Sequence, residues 1–188
     1  IFVEECEIGG APADGLDNPD QTREQRQLTG SVIASSNARF TSAMIASIAS
    51  EGQRTRPAPF GHALCQLAEA RLDVVGMTAD LAKYTDLHVF ASAFPERFYQ
   101  MGMAEQLLFG AASGLASEGF TPFATTYAVF ASRRAYDFIH QTIAEEDRNV
   151  KIVCALPGLT SGYGPSHQAT EDVALMRAMP NMTVIDPC

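Results

Sequence analysis

The sequence has no tryptophan, few cysteines and no long apolar run. Its 188 residues contain four cysteines, which are far apart and form neither a CxxC pair nor the Cys/His spacing of a zinc site. Cysteines of this kind are expected to be reduced thiols of a cytoplasmic protein. No stretch approaches the roughly 20 apolar residues that span a bilayer, and no basic-then-apolar signal segment is found. We therefore expect neither a metal site nor a membrane partner.

Positive charge is also scarce. The chain has 13 Lys and Arg residues against 22 Asp and Glu residues, which leaves a net charge of −9. Residues 1–30 alone contain seven acids and two arginines. Because the basic residues form no cluster, a nucleic acid is not expected as a partner. A hydrophobic content of 46% is ordinary for a globular protein of this length.

The chain divides by pattern into an extension and a domain. Residues 1–35 are rich in Gly, Pro and polar side chains without a sustained period, and apolar residues recur at helical spacing over about 37–51. We predict an acidic irregular extension over residues 1–55 that includes this one amphipathic helix, and a single domain over residues 56–188. Because the first residue is not Met and the last ones follow a predicted strand, we expect a piece of a longer polypeptide.

Apolar runs and helical patterns alternate through the predicted domain. The runs predict strands, and the segments between them predict helices; the strands are 72–78, 97–103, 121–127, 150–158 and 182–187, and the helices are 60–70, 104–119, 128–146 and 169–179. Strands without polar alternation are typical of a sheet that is covered on both sides. The predicted fold class is α/β, a doubly wound and mostly parallel sheet with helices on both faces.

Ligands of such sheets bind beyond the carboxyl ends of the strands, so the residues at those turns are the candidates for function. Within "FYQMGMAEQLLFG" (98–110), Glu105 is the one acid in an apolar run. It can be explained as an acid that interacts favourably with a helix N-terminus. It can also be explained as a functional carboxyl that shares a proton with a bound heterocycle, since its apolar neighbours leave little water for it.

Two further turns carry candidate residues. The segment "TTYAVFASRR" contains Tyr127, Phe130 and Arg133 at the spacing i, i+3, i+6 of one helix face. These side chains can form a platform for a flat ring, or the two aromatic rings can pack in the core. The glycine-rich loop "GLTSGYGPSHQ" ends in His167, which can serve as a proton donor or substrate contact, or can be a capping or exposed histidine. The loop lacks the GK[ST] of a phosphate-binding P-loop.

Five segments together resemble the pyrimidine-binding domain of transketolase-type thiamine diphosphate enzymes. They are "GMTADL" (76–81), "PERFYQMGMAEQ" (95–106), "GLASEGFTPFATTYAVF" (114–130), "GYGPSHQATED" (162–172) and "MPNMTVIDP" (179–187). The match is most similar to the carboxy-terminal component of split transketolases, and it extends to deoxyxylulose-phosphate synthases. The resemblance implies a two-carbon ketol transfer between sugar phosphates.

The resemblance implies roles for single residues. Glu105 is expected to bond a ring nitrogen of the cofactor's aminopyrimidine and to stabilise its imino form, so that the neighbouring nitrogen can deprotonate the thiazolium ring. Further contacts with the cofactor are expected from Asp80, Tyr127, Phe130 and Arg133, and contacts with the substrate from Arg56, Tyr163 and His167.

The sequence also departs from the family pattern. Tyr163 stands where the family usually has an Asp that contacts a donor hydroxyl, which implies an altered sugar specificity. The Gly-Asp-Gly…Asn segment that holds Mg²⁺ and the diphosphate is absent, so these ligands are expected on a partner domain or chain of a homo- or hetero-oligomer. A non-catalytic assembly subunit and a decarboxylating enzyme similar to deoxyxylulose-phosphate synthase remain as alternatives.

Overall fold

The structure is a computed structural model that describes residues 57–186, of which residues 58–186 belong to one compact unit. Four parallel strands form one sheet in the order β2-β1-β3-β4. The strands are β1 (Val74–Thr78), β2 (Phe98–Gln100), β3 (Thr121–Tyr127) and β4 (Lys151–Ala155). The helices are α1 (Pro59–Ala70), α2 (Leu87–Ala93), α3 (Glu105–Ser117), α4 (Tyr136–Ile139) and α5 (Asp172–Arg177). The predicted α/β class is confirmed.

The first strand lies at the centre of the core. Every residue of β1 is buried, as expected for a strand with helices on both sides. On one face, Val74 packs with residues of α1 and α2 in a cluster that contains Leu64, Leu87 and Phe90. Gly76 points to the same face, and a Cβ there would lie 2.7 Å from Cδ1 of Phe90. On the other face, α3 packs against β3 and β1.

The strand order creates a point where the connections diverge. From β1 the chain runs outward to β2, whereas from β3 it runs in the opposite direction to β4, although β1 and β3 are neighbours in the sheet. In open parallel sheets a crevice forms at such a point, beyond the carboxyl ends of the strands. Here those ends are Thr78 and Tyr127, which bring the turns after β1 and β3 side by side.

Several predicted elements differ from the structure. The predicted strand 182–187 is wrong over 182–186, which form no strand and pair with no strand among the described residues. Apolar residues alone do not make a strand, which needs a neighbour to pair with, and Ile185 is 49% exposed. The strand predicted at 97–103 is limited to Phe98–Gln100 because Gly102 turns the chain with φ 71°. Helix α2 was not predicted.

The helix predicted over 128–146 is interrupted. A short α-helix, α4, lies between two π-helical segments, Phe130–Arg134 and His140–Ala144. The predicted extension 1–55, with its helix at about 37–51, lies outside the described residues. No helix in the part of the chain that the structure describes is long and apolar enough to cross a membrane.

Candidate functional site

The carboxyl of Glu105 is buried at the first residue of α3. The residue is 1% exposed, and the four residues between β2 and the helix include Gly102 in a left-handed conformation, φ 71°. The guanidinium of Arg134 donates hydrogen bonds from Nη1 to both oxygens of Glu105, at 3.0 and 2.9 Å. A buried carboxylate requires such a partner, because an unpaired charge in an apolar surrounding is costly.

A π-helical segment determines which arginine reaches Glu105. In the segment Phe130–Arg134 the backbone is wound more widely than in an α-helix, which turns Arg133 away from Phe130, and Arg134 lies over the Phe130 ring at 4.3 Å from its centroid. Arg133 instead pairs with Glu171, with Nη2 to Oε2 at 2.9 Å. The predicted helix face is therefore wrong, because Tyr127 is the last residue of β3 and the segment that contains Arg133 is π-helical; Tyr127 and Phe130 still lie together.

Aromatic side chains from three turns gather beside this ion pair, and we call them the aromatic group: Tyr84, Tyr127, Phe130, Tyr163 and His167. The rings of Tyr127 and Phe130 are stacked with centroids 5.9 Å apart, and Tyr84 meets Tyr127 edge-on. Burial raises the pKa of Tyr127 well above its ordinary value, so its hydroxyl remains protonated. The structure thus brings together residues that are far apart in the sequence, as predicted from the sheet edge.

His167 joins the aromatic group from the glycine-rich loop. Its ring lies 5.3 Å from Phe130 and 5.3 Å from Tyr163, centroid to centroid. The hydroxyl oxygen of Ser166 lies 2.9 Å from Nδ1 of His167, which leaves the other ring nitrogen for a ligand. The loop is closed at its base, where the amide of Gly158 donates to Asp172 at 3.1 Å and its carbonyl accepts from Ala169 at 2.7 Å.

The remaining predicted residues lie at the margin of this arrangement or beyond it. Asp80, which has φ 59°, donates its backbone N–H to Oε1 of Gln100 at 2.7 Å and accepts from Nε2 of Gln100 at 3.2 Å, so it connects the ends of β1 and β2. Tyr163, whose ring contacts His167, is 55% exposed. Arg56 lies outside the described residues.

Sequence reasoning missed Arg134 and Tyr84. The signal for Arg134 was present as a second arginine in "SRR" (132–134), but α-helical spacing favoured its neighbour. Tyr84 lies in the turn after β1, where the resemblance pointed only to Asp80, and no sequence pattern indicated the contact of Tyr84 with Tyr127.

The site has the features of a binding site for a flat ring. A buried carboxyl beside stacked rings suits a flat nitrogen heterocycle. Among residues 57–186, however, no group of three His, Cys, Asp or Glu side chains is placed to hold a metal ion. The described residues therefore fit the ring of a cofactor such as thiamine diphosphate, and they provide no such group of side chains for its metal ion.

Comparisons with known proteins agree with this description. The sequence profile of the transketolase pyrimidine-binding domain matches residues 53–188. A transketolase family protein of Sinorhizobium fredii is 73% identical over 148 residues, which are 79% of this chain and 43% of that protein. A transketolase C-terminal section of Methanocaldococcus jannaschii is 45% identical over 129 residues, 68% of this chain and 41% of that protein.

A solved structure extends the comparison to the fold. It is a split-gene transketolase, described as an inactive beta4 tetramer, with a TM-score of 0.58 and 48% sequence identity. The matched region covers 66% of this chain and 39% of the split-gene transketolase chain. The chain thus spans about two fifths of the length of these three proteins.

Proposed function

Because the chain belongs to the transketolase family through its pyrimidine-binding domain, we propose that it supplies the pyrimidine-binding half of a thiamine diphosphate-dependent active site. The reaction of the complete site is the transfer of a two-carbon ketol unit between sugar phosphates. The observation that supports this best is the carboxyl of Glu105, 1% exposed at the start of α3 and adjoining the aromatic group through Arg134.

Glu105 has the central role in this proposal. When bound, thiamine diphosphate supplies a nucleophilic carbon and an electron sink. Glu105 bonds a ring nitrogen of the aminopyrimidine and shares a proton with it, which is effective because the surroundings exclude water. Tyr127 and Phe130 offer ring faces against which the pyrimidine packs. Asp80 and Arg133 are proposed as further contacts of the cofactor.

The substrate approaches from the glycine-rich loop. His167, with one ring nitrogen facing Ser166, uses its other nitrogen to contact a hydroxyl of the sugar. Tyr163 covers the outer side of His167 with an uncharged ring, so we propose a sugar that does not need a carboxylate at this position. Arg56 is proposed to bind the substrate phosphate.

The diphosphate and Mg²⁺ belong to a partner in this proposal, either a second domain or a separate polypeptide with which the chain forms an oligomer. The absence of a metal-binding cluster among residues 57–186 supports this assignment. The pyrimidine-binding domain is proposed to begin near residue 56. The protein is proposed to act in the cytoplasm.

The test is a ketol-transfer assay on the chain co-purified with a polypeptide that carries a Gly-Asp-Gly…Asn segment. We expect turnover by the wild-type complex, and a decrease in kcat of about 10²- to 10⁴-fold in Glu105→Gln, because a group that moves a proton typically contributes this much. Arg71→Met is a control, since Arg71 pairs with Asp73 at the amino ends of the strands, away from Glu105 at their carboxyl ends. Full turnover by Glu105→Gln contradicts the proposal.

The same assay distinguishes the alternatives. A stable wild-type complex that binds no thiamine diphosphate and transfers no ketol unit indicates an assembly subunit. Release of CO₂ from pyruvate indicates a decarboxylating enzyme similar to deoxyxylulose-phosphate synthase.

A further inference from the structure

Arg134 contacts Glu105 in an unusual way. A guanidinium commonly meets a carboxylate with two nitrogens side by side, but here the one nitrogen Nη1 serves both oxygens, at 3.0 and 2.9 Å. The same guanidinium lies over the ring of Phe130, with its central carbon 4.3 Å from the centroid. Arg134 therefore occupies both the hydrogen-bonding edge of Glu105 and a face of Phe130.

A protonated aminopyrimidine has the same two requirements. Both groups are flat cations with N–H donors in the plane and π-faces above and below it, so both can bond a carboxylate along one edge and pack against an aromatic ring. A heterocycle that bonds Glu105 and stacks on Phe130 has to enter the space in which the Arg134 guanidinium lies.

The two partners of the ion pair differ in their access to solvent. The side chain of Glu105 is 2% exposed and that of Arg134 is 44% exposed. Arg134 can therefore leave the pair by turning toward water, where its charge is solvated, whereas Glu105 cannot leave without a loss of packing around α3.

We infer that Arg134 is an exchangeable counter-ion of Glu105: it holds the carboxylate until the cofactor ring arrives, and it is then displaced by that ring. This inference rests on the proposed function, because it takes the pyrimidine of thiamine diphosphate as the incoming ring. Arg134 is a positioning residue, which acts on the cofactor through Glu105.

The exchange predicts how the removal of Arg134 changes the affinity for the cofactor. Without Arg134, the buried carboxylate has no side-chain partner among residues 57–186 before the cofactor binds, and it gains a partner when the ring binds. Removal of Arg134 therefore destabilises the unloaded chain more than the loaded one, and the cofactor binds more tightly. A residue that supports the ring directly has the opposite effect when it is removed.

The experiment is a calorimetric titration of thiamine diphosphate, with Mg²⁺, into the complex of the full chain with its diphosphate-binding partner. We expect Arg134→Met to lower the Kd about tenfold, which corresponds to about 1.4 kcal/mol, and Arg71→Met to leave it unchanged. If the wild type binds the cofactor and Arg134→Met binds it equally well or more weakly, the exchange is overturned but the proposed function is not. If neither the wild type nor Arg71→Met binds the cofactor, the proposed function fails and the exchange fails with it.

A second measurement keeps the inference testable if Arg134→Met does not fold. In the wild-type complex labelled with ¹⁵N-arginine, the guanidinium signals of Arg134 report whether its rotation is hindered by the carboxylate. Addition of thiamine diphosphate should convert the Arg134 signals to those of a freely rotating side chain and leave those of Arg71 unaltered. Signals of Arg134 that stay hindered at saturating cofactor overturn the exchange.

Discussion

The paired charges of Glu105 and Arg134 show what a sequence reveals about single residues and what it does not. An acid in an apolar run is visible as an exception, and its burial follows from its neighbours. Its partner is not visible, because Arg134 lies 29 positions further along the chain and reaches Glu105 only through tertiary structure. The position of the carboxyl could therefore be predicted, but its electrostatic partner could not.

The ion pair leads to a prediction about stability. Arg134→Met leaves the buried Glu105 carboxylate without its partner. We expect the free energy of unfolding of the full chain to fall by about 1–3 kcal/mol. This is less than the usual cost of breaking a fully buried pair, because the Arg134 side chain is 44% exposed. The double variant Glu105→Gln with Arg134→Met should recover much of the loss, since no charge is then buried. Urea unfolding measures both, and a double variant as unstable as Arg134→Met would contradict the account.

At the scale of elements, the interruption after β3 has the largest effect on the site. The sequence over 128–146 has helical periodicity, and that pattern predicts that Arg133 shares a helix face with Phe130. In the π-helical segment Phe130–Arg134, Arg134 lies over the Phe130 ring and Arg133 pairs with Glu171. Which of the two neighbouring arginines lies over Phe130 depends on how the whole segment packs, and local helix propensity does not determine that packing.

The contact between β1 and α2 predicts unequal effects of two glycine substitutions. Gly76→Ala brings a Cβ within 2.7 Å of Phe90 and should lower the free energy of unfolding by about 1–3 kcal/mol through overpacking. Gly110→Ala, in α3, meets nothing within 4 Å and should raise it by about 0.5–1 kcal/mol through helix propensity. Urea unfolding of the full chain compares them; a harmless Gly76→Ala would show that the strand and helix are not closely packed.

The pair formed by Arg133 and Glu171 joins the π-helical segment to the loop before α5 and predicts a pH dependence. Hydrogen bonds from Arg133 and Thr170 lower the pKa of Glu171 from 4.5 to about 2. Because the folded pKa is lowered, the stabilisation is complete above pH 4.5 and is lost as the pH falls from about 4.5 toward about 2. Glu171→Gln should flatten the stability profile in this window, and a profile identical to that of the wild type would contradict the assignment.

At the scale of the whole molecule, the pattern of apolar runs was sufficient for the fold class and for four of the strands. The convergence of Glu105, Tyr127, Phe130 and His167 could be predicted because parallel strands end at one edge. The strand order could not be predicted, nor could the lack of a strand partner for 182–186 among residues 57–186, because pairing depends on which neighbours are available and is not encoded in periodicity.

The central claim is that Glu105 activates the ring of bound thiamine diphosphate, and the exchange of the cofactor's C2 proton with solvent deuterium tests it most directly. The rate is measured by quenched-flow NMR on the complex of the full chain with its diphosphate-binding partner, for the wild type and for Glu105→Gln at equal cofactor occupancy. We predict exchange about 10²-fold or more slower in Glu105→Gln, since a positioned acid–base group contributes at least this much. Equal exchange rates in the two complexes would contradict the account.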